Sequence, residues 1–348
     1  MEQEKKKKTR RSRAGRVIGR VLLVLLETLL LVVVALYGVM YVVAKGPSPT
    51  ASKLFVNSVR ETSAVGFLAD LFFTEGEIKA MMSSGEMTEY VPTNKELISI
   101  DSDSEDAAGK ADAYGLVDDD GDGIIIEPVT GEGFSGYMMV VLDPSRVVLA
   151  TCPDQYGITG HSVEEYVKMY DAVAGINGGA FEDGGGMGNG SVPRGLVVYE
   201  GQQYYGPGVE MGFAGIDADH ILNVGCRSAS DAADANIQYG ASYGPVLVSN
   251  GQMMDESTLG GGLNPRTAIG QRADGAMLLL VIDGRQVISL GATYYDLAEV
   301  MLSFGAVNAV NLDGGSSSLM WFEDDYVNNC ASVVGIRNIP TAFVVLKK

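Results

Sequence analysis

The sequence predicts an α+β domain with a mixed β-sheet and flanking helices, preceded by an N-terminal transmembrane helix. The first observation is an apolar run at residues 21–44 that is long enough to cross a bilayer. The second is a series of short apolar runs, separated by turns, that outnumber the helical segments in the C-terminal two thirds. These runs do not alternate regularly with helices, as a parallel α/β sheet would require.

The apolar run lies between Arg20 and Lys45 and follows a strongly basic flank, KKKKTRRSRAGR. Short basic flanks stay in the cytoplasm. The sequence therefore predicts a cytoplasmic tail at 1–20, a single-pass anchor in the cell membrane at 21–44, and an extracellular remainder. A cleaved signal peptide is the alternative, but the run is longer than a usual h-region and no small-x-small cleavage site follows it.

Residues 45–130 are predicted to be a membrane-proximal region of helices and acidic linker, and residues 131–348 the main domain. Helical spacing over 53–82 predicts one or two amphipathic helices, acting as a spacer or as a helix for a partner. The stretch 99–113 is acidic and rich in small residues, which is typical of disorder.

The loop DDDGDGI places Asp118, Asp120 and Asp122 at alternate positions and resembles the first half of a calcium loop. The alternative is an acidic turn that enters the next strand. Calcium is therefore a candidate ligand here, whereas no cofactor is expected to be required for activity.

Within the main domain, eight apolar runs are predicted strands: YMMVVL, RVVLA, AVAGI, GLVVY, GPVLV, AMLLLVI, AVNAVNL and TAFVVL. Two helices are marked by their start signals, one after Ser162 and one after Thr293. The polar motifs described below then fall at strand ends and in the loops beyond them.

Beyond residue 45 the chain carries 15 basic and 41 acidic residues, a net charge of −26. Such a surface repels nucleic acid, so no nucleic-acid partner is expected. A phosphate-bearing substrate would have to meet a local basic group, and the candidates are Arg194, Arg266, Arg272 and Arg285. With two histidines and three cysteines that lack metal-ligand spacing, neither a histidine-dependent triad nor a metal in the active site is predicted.

The most informative segment is AVNAVNLDGGSSSLMW at 306–321, an apolar strand that leads into Asn311, Asp313, two glycines and three serines. An unpaired buried carboxylate costs several kcal/mol, so Asp313 must be hydrogen-bonded or exposed in a pocket. The glycines allow backbone N–H groups to approach a ligand closely. The alternative is a tight strand-to-helix turn capped by Asp313.

Two further segments have the same build, AVAGINGGAFEDGGGMGNG and NPRTAIGQRADGAMLLLVIDGRQVISLGATYYDLAEVM. The three together resemble the phosphodiester glycosidases, over roughly residues 134–346. INGGAF, GPVLVSNG, NPRTAIG, VIDGRQ and NLDGGSSS occur in the family's order, with minor departures at Ala180 and Ser316. The substrate-binding residues predicted within these motifs are Asn177, Gly178, Gly179, Thr267, Arg285, Asn311, Gly314, Gly315 and Ser316.

The resemblance implies a carbohydrate phosphodiester as substrate, and the residue types fit its cleavage. Breaking the anomeric C–O bond passes through an oxocarbenium-like state and releases a phosphate monoester, whose charge an arginine fork such as that of Arg266 can neutralise. A carboxylate must act as nucleophile or activate water, and Asp313 and Asp283 each follow an apolar run and precede a glycine. The alternative for Asp283 is a simple hairpin turn. Asp313, Asp283 and Arg266 are the predicted catalytic residues.

The sequence thus favours an extracellular, membrane-anchored glycosidase acting on a sugar-1-phosphodiester of a cell-surface polysaccharide or glycolipid. One alternative is a non-catalytic glycan or teichoic-acid binding module in envelope or exopolysaccharide assembly, and another is a protein-interaction ectodomain. Convergence of Asp313, Asp283 and Arg266 in one cleft would separate the enzyme from the interaction ectodomain. Turnover alone separates it from the binding module.

Overall fold

The structure is a computed structural model. It describes residues 2–62, 65–82, 91–100, 109, 111–184, 188–206, 212–226, 228–255, 259–332 and 335–348. The chain forms two compact units, Met1–Phe55 and Val56–Lys348.

The first unit consists mainly of one long helix, α1 (Glu2–Lys45). Its part Gly15–Lys45 has a mean hydropathy of 2.6 over its most apolar window and is long and apolar enough to cross a membrane. Length and composition fit a single-pass anchor and also a signal sequence. The predicted N-terminal transmembrane-type helix is confirmed as a structural element.

The second unit is built from strands and short helices. Its strands are β1 (Ile124–Gly131), β2 (Phe134–Val141), β3 (Val147–Thr151), β4 (Ala172–Asn177), β5 (Val197–Tyr199), β6 (Gln202–Tyr205), β7 (Gly212–Asp217), β8 (Leu222–Asn223), β9 (Ile237–Tyr243), β10 (Val246–Ser249), β11 (Gln252–Met253), β12 (Arg266–Arg272), β13 (Met277–Ile282), β14 (Ala306–Asn311), β15 (Met320–Phe322), β16 (Asp325–Tyr326) and β17 (Thr341–Leu346). After α1, the helices are α2 (Pro49–Arg60), which spans the boundary between the units, α3 (Glu75–Met81), α4 (Val163–Met169), α5 (Ala229–Asp234) and α6 (Tyr294–Ser303).

The strands form three sheets. The orders are β1-β2-β13-β12-β14-β10-β11, β16-β15-β4-β17-β3 and β6-β5-β9-β7-β8. The strand pairs of these sheets, within the described residues, are antiparallel. The α+β class is confirmed, with three antiparallel sheets in place of the single mixed sheet that the strand pattern suggested.

Strand β13 shows why a central strand has an unbroken apolar sequence. Leu279 and Val281 point into a core that all three sheets share, while Leu278 and Leu280 pack on the opposite face. Leu297 of helix α6 covers that opposite face. Since both faces are covered, no polar residue can alternate along the strand.

The eight predicted strands and the two predicted helices are present. Helices α4 and α6 begin with capping boxes in which Ser162 and Thr293 accept hydrogen bonds from the backbone N–H groups of Glu165 and Asp296. The three cysteines are free thiols.

The predicted linker contributes ordered residues to the second unit. Helix α2, a 3₁₀ helix at Gly66–Leu71 and α3 account for most of the predicted amphipathic stretch. The described ends of the stretch predicted to be disordered are packed, since Ser99 N–H donates to Ala273 O and Asp112 pairs with Arg272. Its remaining residues, 101–108 and 110, lie outside the described residues.

Candidate functional site

A cavity of about 390 Å³ lies where the motif segments meet, a volume in the range of small-molecule sites. It combines arginines, carboxylates, tyrosines and the Gly-Ser turn that follows β14. The lining residues are Glu61, Thr62, Ala180, Phe181, Asp183, Arg194, Tyr243, Asn264, Arg266, Arg285, Tyr294, Asp313, Gly314, Gly315, Ser316, Ala331, Ser332 and Arg337.

The pairing of β12 with β14 brings Arg266 and Asp313 to one edge of the sheet. Because the two strands are antiparallel, the start of β12 lies beside the end of β14, with Ala268 opposite Asn311. Beyond the ladder, Leu312 N–H donates to Thr267 O at 2.8 Å. Gly315 N–H donates to Pro265 O at the same distance, which fixes the turn after Asp313.

Asn177 fastens a second sheet to this edge. Its side chain is fully buried, accepts from Thr267 Oγ1 at 2.7 Å and from Leu319 N–H at 3.2 Å, and donates from Nδ2 to Asp313 O at 2.6 Å. One amide therefore ties three motif segments together and holds the backbone of Asp313. This is a supporting role behind the cavity wall.

The Asp313 carboxyl is one of the titratable groups that this setting affects. Burial raises the pKa of Asp313 to about 6, against the lowering effects of the nearby Ser317 hydroxyl, the charge of Arg337 and the backbone N–H of Gly314. The other described carboxylates of the lining, Glu61 and Asp183, form ion pairs with Arg266 and Arg337.

Four arginines line the cavity, and they differ in how many of their N–H donors are hydrogen-bonded. Arg266 is 3% exposed, and its guanidinium stacks on the Tyr294 ring at 4.0 Å. Arg337 pairs with Asp183, donates from Nη1 to Ser316 Oγ at 3.1 Å and lies over the Phe181 ring.

The other two arginines have more free donors. Arg285 donates from Nη2 to Thr62 Oγ1 at 2.8 Å and to Asn264 Oδ1 at 3.1 Å, and its Nε and Nη1 donors have no acceptor within the described ranges. Burial and repulsion by Arg266 lower the pKa of Arg285. Arg194 is exposed, and its guanidinium makes no hydrogen bond or ion pair within the described part of the chain. A planar fork of this kind suits a phosphate group.

The cavity lining contains six of the predicted site residues: Arg266, Arg285, Asp313, Gly314, Gly315 and Ser316. It does not contain the other six: Asn177, Gly178, Gly179, Thr267, Asp283 and Asn311. Asn177 and Asn311, which were predicted to bind substrate, and Asp283, which was predicted to be catalytic, therefore do not line this cavity. The catalytic and binding roles of the six that line the cavity stay predictions.

Asp283, the second candidate carboxylate, lies outside the cavity lining. It is 5% exposed, and its Oδ1 accepts from Asn328 Nδ2 at 3.0 Å and from Asn329 N–H at 3.2 Å. Its backbone carbonyl accepts from Ser289 Oγ at 2.6 Å. Amide donors thus satisfy the carboxylate, and it anchors the loop that carries Arg285.

The other predicted site residues outside the cavity lining are closely packed or connect neighbouring segments. A Cβ at Gly178 would lie 2.5 Å from Thr341 Oγ1, and one at Gly179 would lie 2.8 Å from the Ala241 Cβ, so these glycines permit close packing. Asn311 donates from Nδ2 to Gly244 O at 2.8 Å.

Several lining residues were not among the predicted site residues. Arg337 and Asp183 belong to the matched region but carry no strand-end signal, and Arg194 was named only as a phosphate candidate. Glu61 and Thr62 come from the segment at the end of α2, far upstream of the motifs, and reach the cavity by packing across the fold. Their positions depend on long-range contacts, so a local pattern does not reveal them.

The acidic loop keeps its candidate status for calcium. One oxygen each of Asp118, Asp120 and Asp122 lies within 4.8 Å of the others. These carboxylates already accept backbone hydrogen bonds, from Gly121 and Gly123 to Asp118 and from Ile124 to Asp122. Burial and the neighbouring carboxylates raise the pKa of Asp122. Calcium binding stays a prediction.

The raised pKa of Asp313 predicts an effect on stability. The native carboxyl holds its proton more tightly than the unfolded one, so the protein loses stability as pH rises from about 4 through 6. Asp313→Asn should raise the free energy of unfolding at pH 7.5 by on the order of 1–3 kcal/mol. Thermal unfolding measured at pH 7.5 and near pH 4 checks this, because the gain should vanish at the lower pH. A gain of equal size at both pH values would contradict the assignment.

Comparison with known proteins supports the motif assignment. The family model described as phosphodiester glycosidase matches residues 170–346, half of the chain. A SPbeta prophage-derived uncharacterized protein, YomE, of Bacillus subtilis strain 168 is 36% identical over 118 residues, which cover 33% of this chain and 17% of that protein. Human N-acetylglucosamine-1-phosphodiester alpha-N-acetylglucosaminidase is 29% identical over 175 residues, 45% of this chain and 33% of the human protein. The chain therefore spans a third or less of these relatives.

Among solved structures, the catalytic domain of the zebrafish N-acetylglucosamine-1-phosphodiester alpha-N-acetylglucosaminidase, auto-inhibited by its pro-peptide, is similar in fold. The TM-score is 0.54 at 21% identity, and the alignment covers 65% of this chain and 82% of the zebrafish domain. This similarity concerns the fold.

Proposed function

Because the chain belongs to the phosphodiester glycosidase family, we propose that it is a membrane-anchored glycosidase that hydrolyses the glycosyl–phosphate bond of a sugar-1-phosphodiester. The substrate is a cell-surface polysaccharide or glycolipid. The apolar helix Gly15–Lys45 is the anchor, with its basic flank in the cytoplasm and the domain outside. One observation carries the proposal: a single cavity holds the partly buried Asp313 carboxyl together with four arginines.

The reaction needs a group that either attacks the anomeric carbon itself or activates a water molecule to attack it. A bond forms from the attacking oxygen to the anomeric carbon, the bond from that carbon to the phosphate oxygen breaks, and a phosphomonoester leaves with the bonding electrons. Asp313 is the carboxylate for this step. It accepts the proton of the attacking water or forms the covalent bond first, and both routes need its ionised form.

The leaving group needs charge neutralisation more than protonation, because a phosphomonoester is a stable anion. Arg194 and Arg285 have guanidinium donors that no described residue occupies, and Arg266 adds its Nη1. Several arginines on one wall can bind the phosphate oxygens and stabilise the charge that develops during bond breaking. This arrangement favours a phosphate over an uncharged aglycone.

The direct test is turnover by the whole 348-residue chain in detergent micelles. It is incubated with a panel of sugar-1-phosphodiesters and, in parallel, with aryl glycosides, while free sugar and phosphomonoester are measured. Release of both products from at least one phosphodiester supports the proposal. Saturable binding without product would favour the glycan or teichoic-acid binding module, and neither binding nor turnover across the panel would refute both.

Asp313 also sets the expected pH dependence. With a pKa of about 6, the carboxyl is mostly protonated below that pH and mostly ionised above it. We expect kcat/KM to rise about tenfold per pH unit below 6 and to level off above about 7. The phosphodiester stays ionised throughout, so it does not contribute to this profile. Initial rates from pH 4.5 to 8 measure it, and activity that declined as pH rose through 6 would instead make Asp313 a general acid.

A further inference from the structure

Glu61 follows helix α2 and precedes the family-matched region, yet its carboxylate lies in the cavity. Oε2 accepts from Arg266 Nη2 at 2.6 Å and from Asn264 Nδ2 at 3.0 Å. Oε1 accepts from Gly262 N–H at 3.1 Å. Both carboxylate oxygens are therefore bound to the segment that leads into β12.

These contacts fix the orientation of Arg266. Besides Glu61, its Nη2 donates to Gly262 O at 2.7 Å and its Nε donates to Ala292 O at 3.0 Å. Three of its five N–H donors are used in this way, and the two on Nη1 have no acceptor among the residues that the structure describes. Burial alone would lower the pKa of Arg266, but Glu61 raises it above its ordinary value, so the guanidinium stays charged.

We propose that Glu61 is a positioning residue for Arg266. The functional site then extends upstream of the family domain to residues 57–62. This inference rests on the proposed function, because Arg266 is assigned to the phosphate of the substrate. A guanidinium that is already held in one orientation loses little conformational freedom when it binds an anion.

The segment that carries Glu61 is fastened by more than this ion pair. Ser58 Oγ accepts from Leu263 N–H at 2.9 Å. A Cβ at Gly262 would lie 2.1 Å from Ser58 N, so the two backbones are in direct contact. Thr62 Oγ1 accepts from Arg285 Nη2 at 2.8 Å, and the segment thus holds a second arginine of the cavity.

Loss of Glu61 would leave a nearly buried guanidinium without its counter-charge, which is an unfavourable arrangement. Arg266 would then relax toward other partners or toward solvent. The carboxylate therefore completes the site that binds the substrate anion. The test must separate this role from a purely structural one.

The variants are Glu61→Gln, which removes the charge at nearly constant shape, and Glu61→Asp, which retains it. Glu299→Gln is the matched control, since Glu299 is exposed on helix α6 and does not line the cavity. In the whole 348-residue chain, we expect Glu61→Gln to raise KM for a sugar phosphodiester about tenfold or more, and to change KM for an aryl glycoside less than about threefold. Glu61→Asp should recover part of the loss, and the control should match the wild type.

A double-mutant cycle with Arg266→Lys tests whether Glu61 acts through Arg266. If it does, Glu61→Gln should have little further effect on KM in the Arg266→Lys background. Additive effects of the two substitutions would overturn the inference. So would equal losses on the phosphodiester and the aryl glycoside.

Binding of inorganic phosphate, measured by calorimetry, gives a readout that does not need turnover. The wild type should bind phosphate, and Glu61→Gln should bind it at least about tenfold more weakly. If this difference is found although no phosphodiester is cleaved, the proposed hydrolysis fails and the positioning role is retained. Absence of phosphate binding by the wild type would overturn it. Faster turnover by Glu61→Gln than by the wild type would also overturn it, because Glu61 would then be an anion that the substrate displaces.

Discussion

Asp313→Asn is expected to lower kcat for a sugar phosphodiester by a factor on the order of 10² or more. Asparagine keeps the size and can still accept hydrogen bonds through its amide oxygen, but it carries no negative charge and cannot accept a proton. It can neither activate water nor form a glycosyl ester as a carboxylate does. Steady-state rates of the purified variant measure the loss, and circular dichroism verifies that the fold is intact.

Two further substitutions make this result specific to Asp313. Asp219→Asn applies the same chemical change to an exposed residue outside the cavity lining and should leave kcat unchanged. Asp283→Asn places an amide against the donors of Asn328 and Asn329, so it should lower thermal stability more than it lowers the kcat of the folded protein. Full activity of Asp313→Asn on a verified substrate would rule out its catalytic role.

The sequence predicts the strands and the principal site residues for one physical reason. Runs such as MLLLVI in β13 must be apolar because both faces are buried, and this composition is visible locally. Polar residues directly after such runs have to be satisfied or exposed. Asp313 and Arg266 flank paired strands, so their convergence follows once β12 and β14 are recognised as neighbours.

The same local rule cannot separate Asp313 from Asp283. Each follows a buried strand and precedes glycine, but Asn328 and Asn329 lie 45 and 46 residues beyond Asp283 and satisfy its carboxylate. The difference between the two acids is therefore a long-range property. Gly178 is a similar case, because the close approach that it permits is to Thr341.

Glu61 is a cavity residue that no local sequence pattern identifies. Nothing in the dipeptide Arg60-Glu61 distinguishes it from other charged pairs at the end of an amphipathic helix. Its position depends on the packing of Ser58 against Gly262, a contact between segments about 200 residues apart. Family resemblance does not supply it either, since the matched region begins at residue 170.

Arg194 and Arg272 were equivalent phosphate candidates in the sequence, but the structure places them in different environments. Arg194 is exposed at the cavity, and its guanidinium has no hydrogen-bond or ion-pair partner among the described residues. Arg272 is 1% exposed, pairs with Asp112 at 2.7 Å and with Asp274, and lies over the Tyr114 ring at 4.2 Å. Arg272 thus connects the segment of Asp112 and Tyr114, which precedes β1, to the end of β12.

Substitution of Arg272 should therefore lower stability, whereas substitution of Arg194 should lower catalytic efficiency. Arg272→Ala removes a buried side chain and two ion pairs, so it should lower the free energy of unfolding by about 3 kcal/mol. For a domain of this size the midpoint of thermal unfolding should fall by roughly 6–12 °C, while kcat and KM of the folded protein are unchanged. Arg194→Ala should leave the midpoint within about 1 °C, because its guanidinium has no partner to lose within the described residues.

The kinetic effect of Arg194→Ala should follow the charge of the aglycone. Loss of one charge-assisted contact to phosphate, about 1.5–3 kcal/mol, should lower kcat/KM for a phosphodiester by roughly 10–100-fold. An aryl glycoside offers this side chain no anion, so its kcat/KM should change little. Rates on both substrates, measured with thermal unfolding of both variants, give a crossed comparison. If Arg194→Ala impaired both substrates equally, or if Arg272→Ala reduced phosphodiester turnover of the folded protein, the assignment of phosphate recognition to the cavity arginine would be wrong.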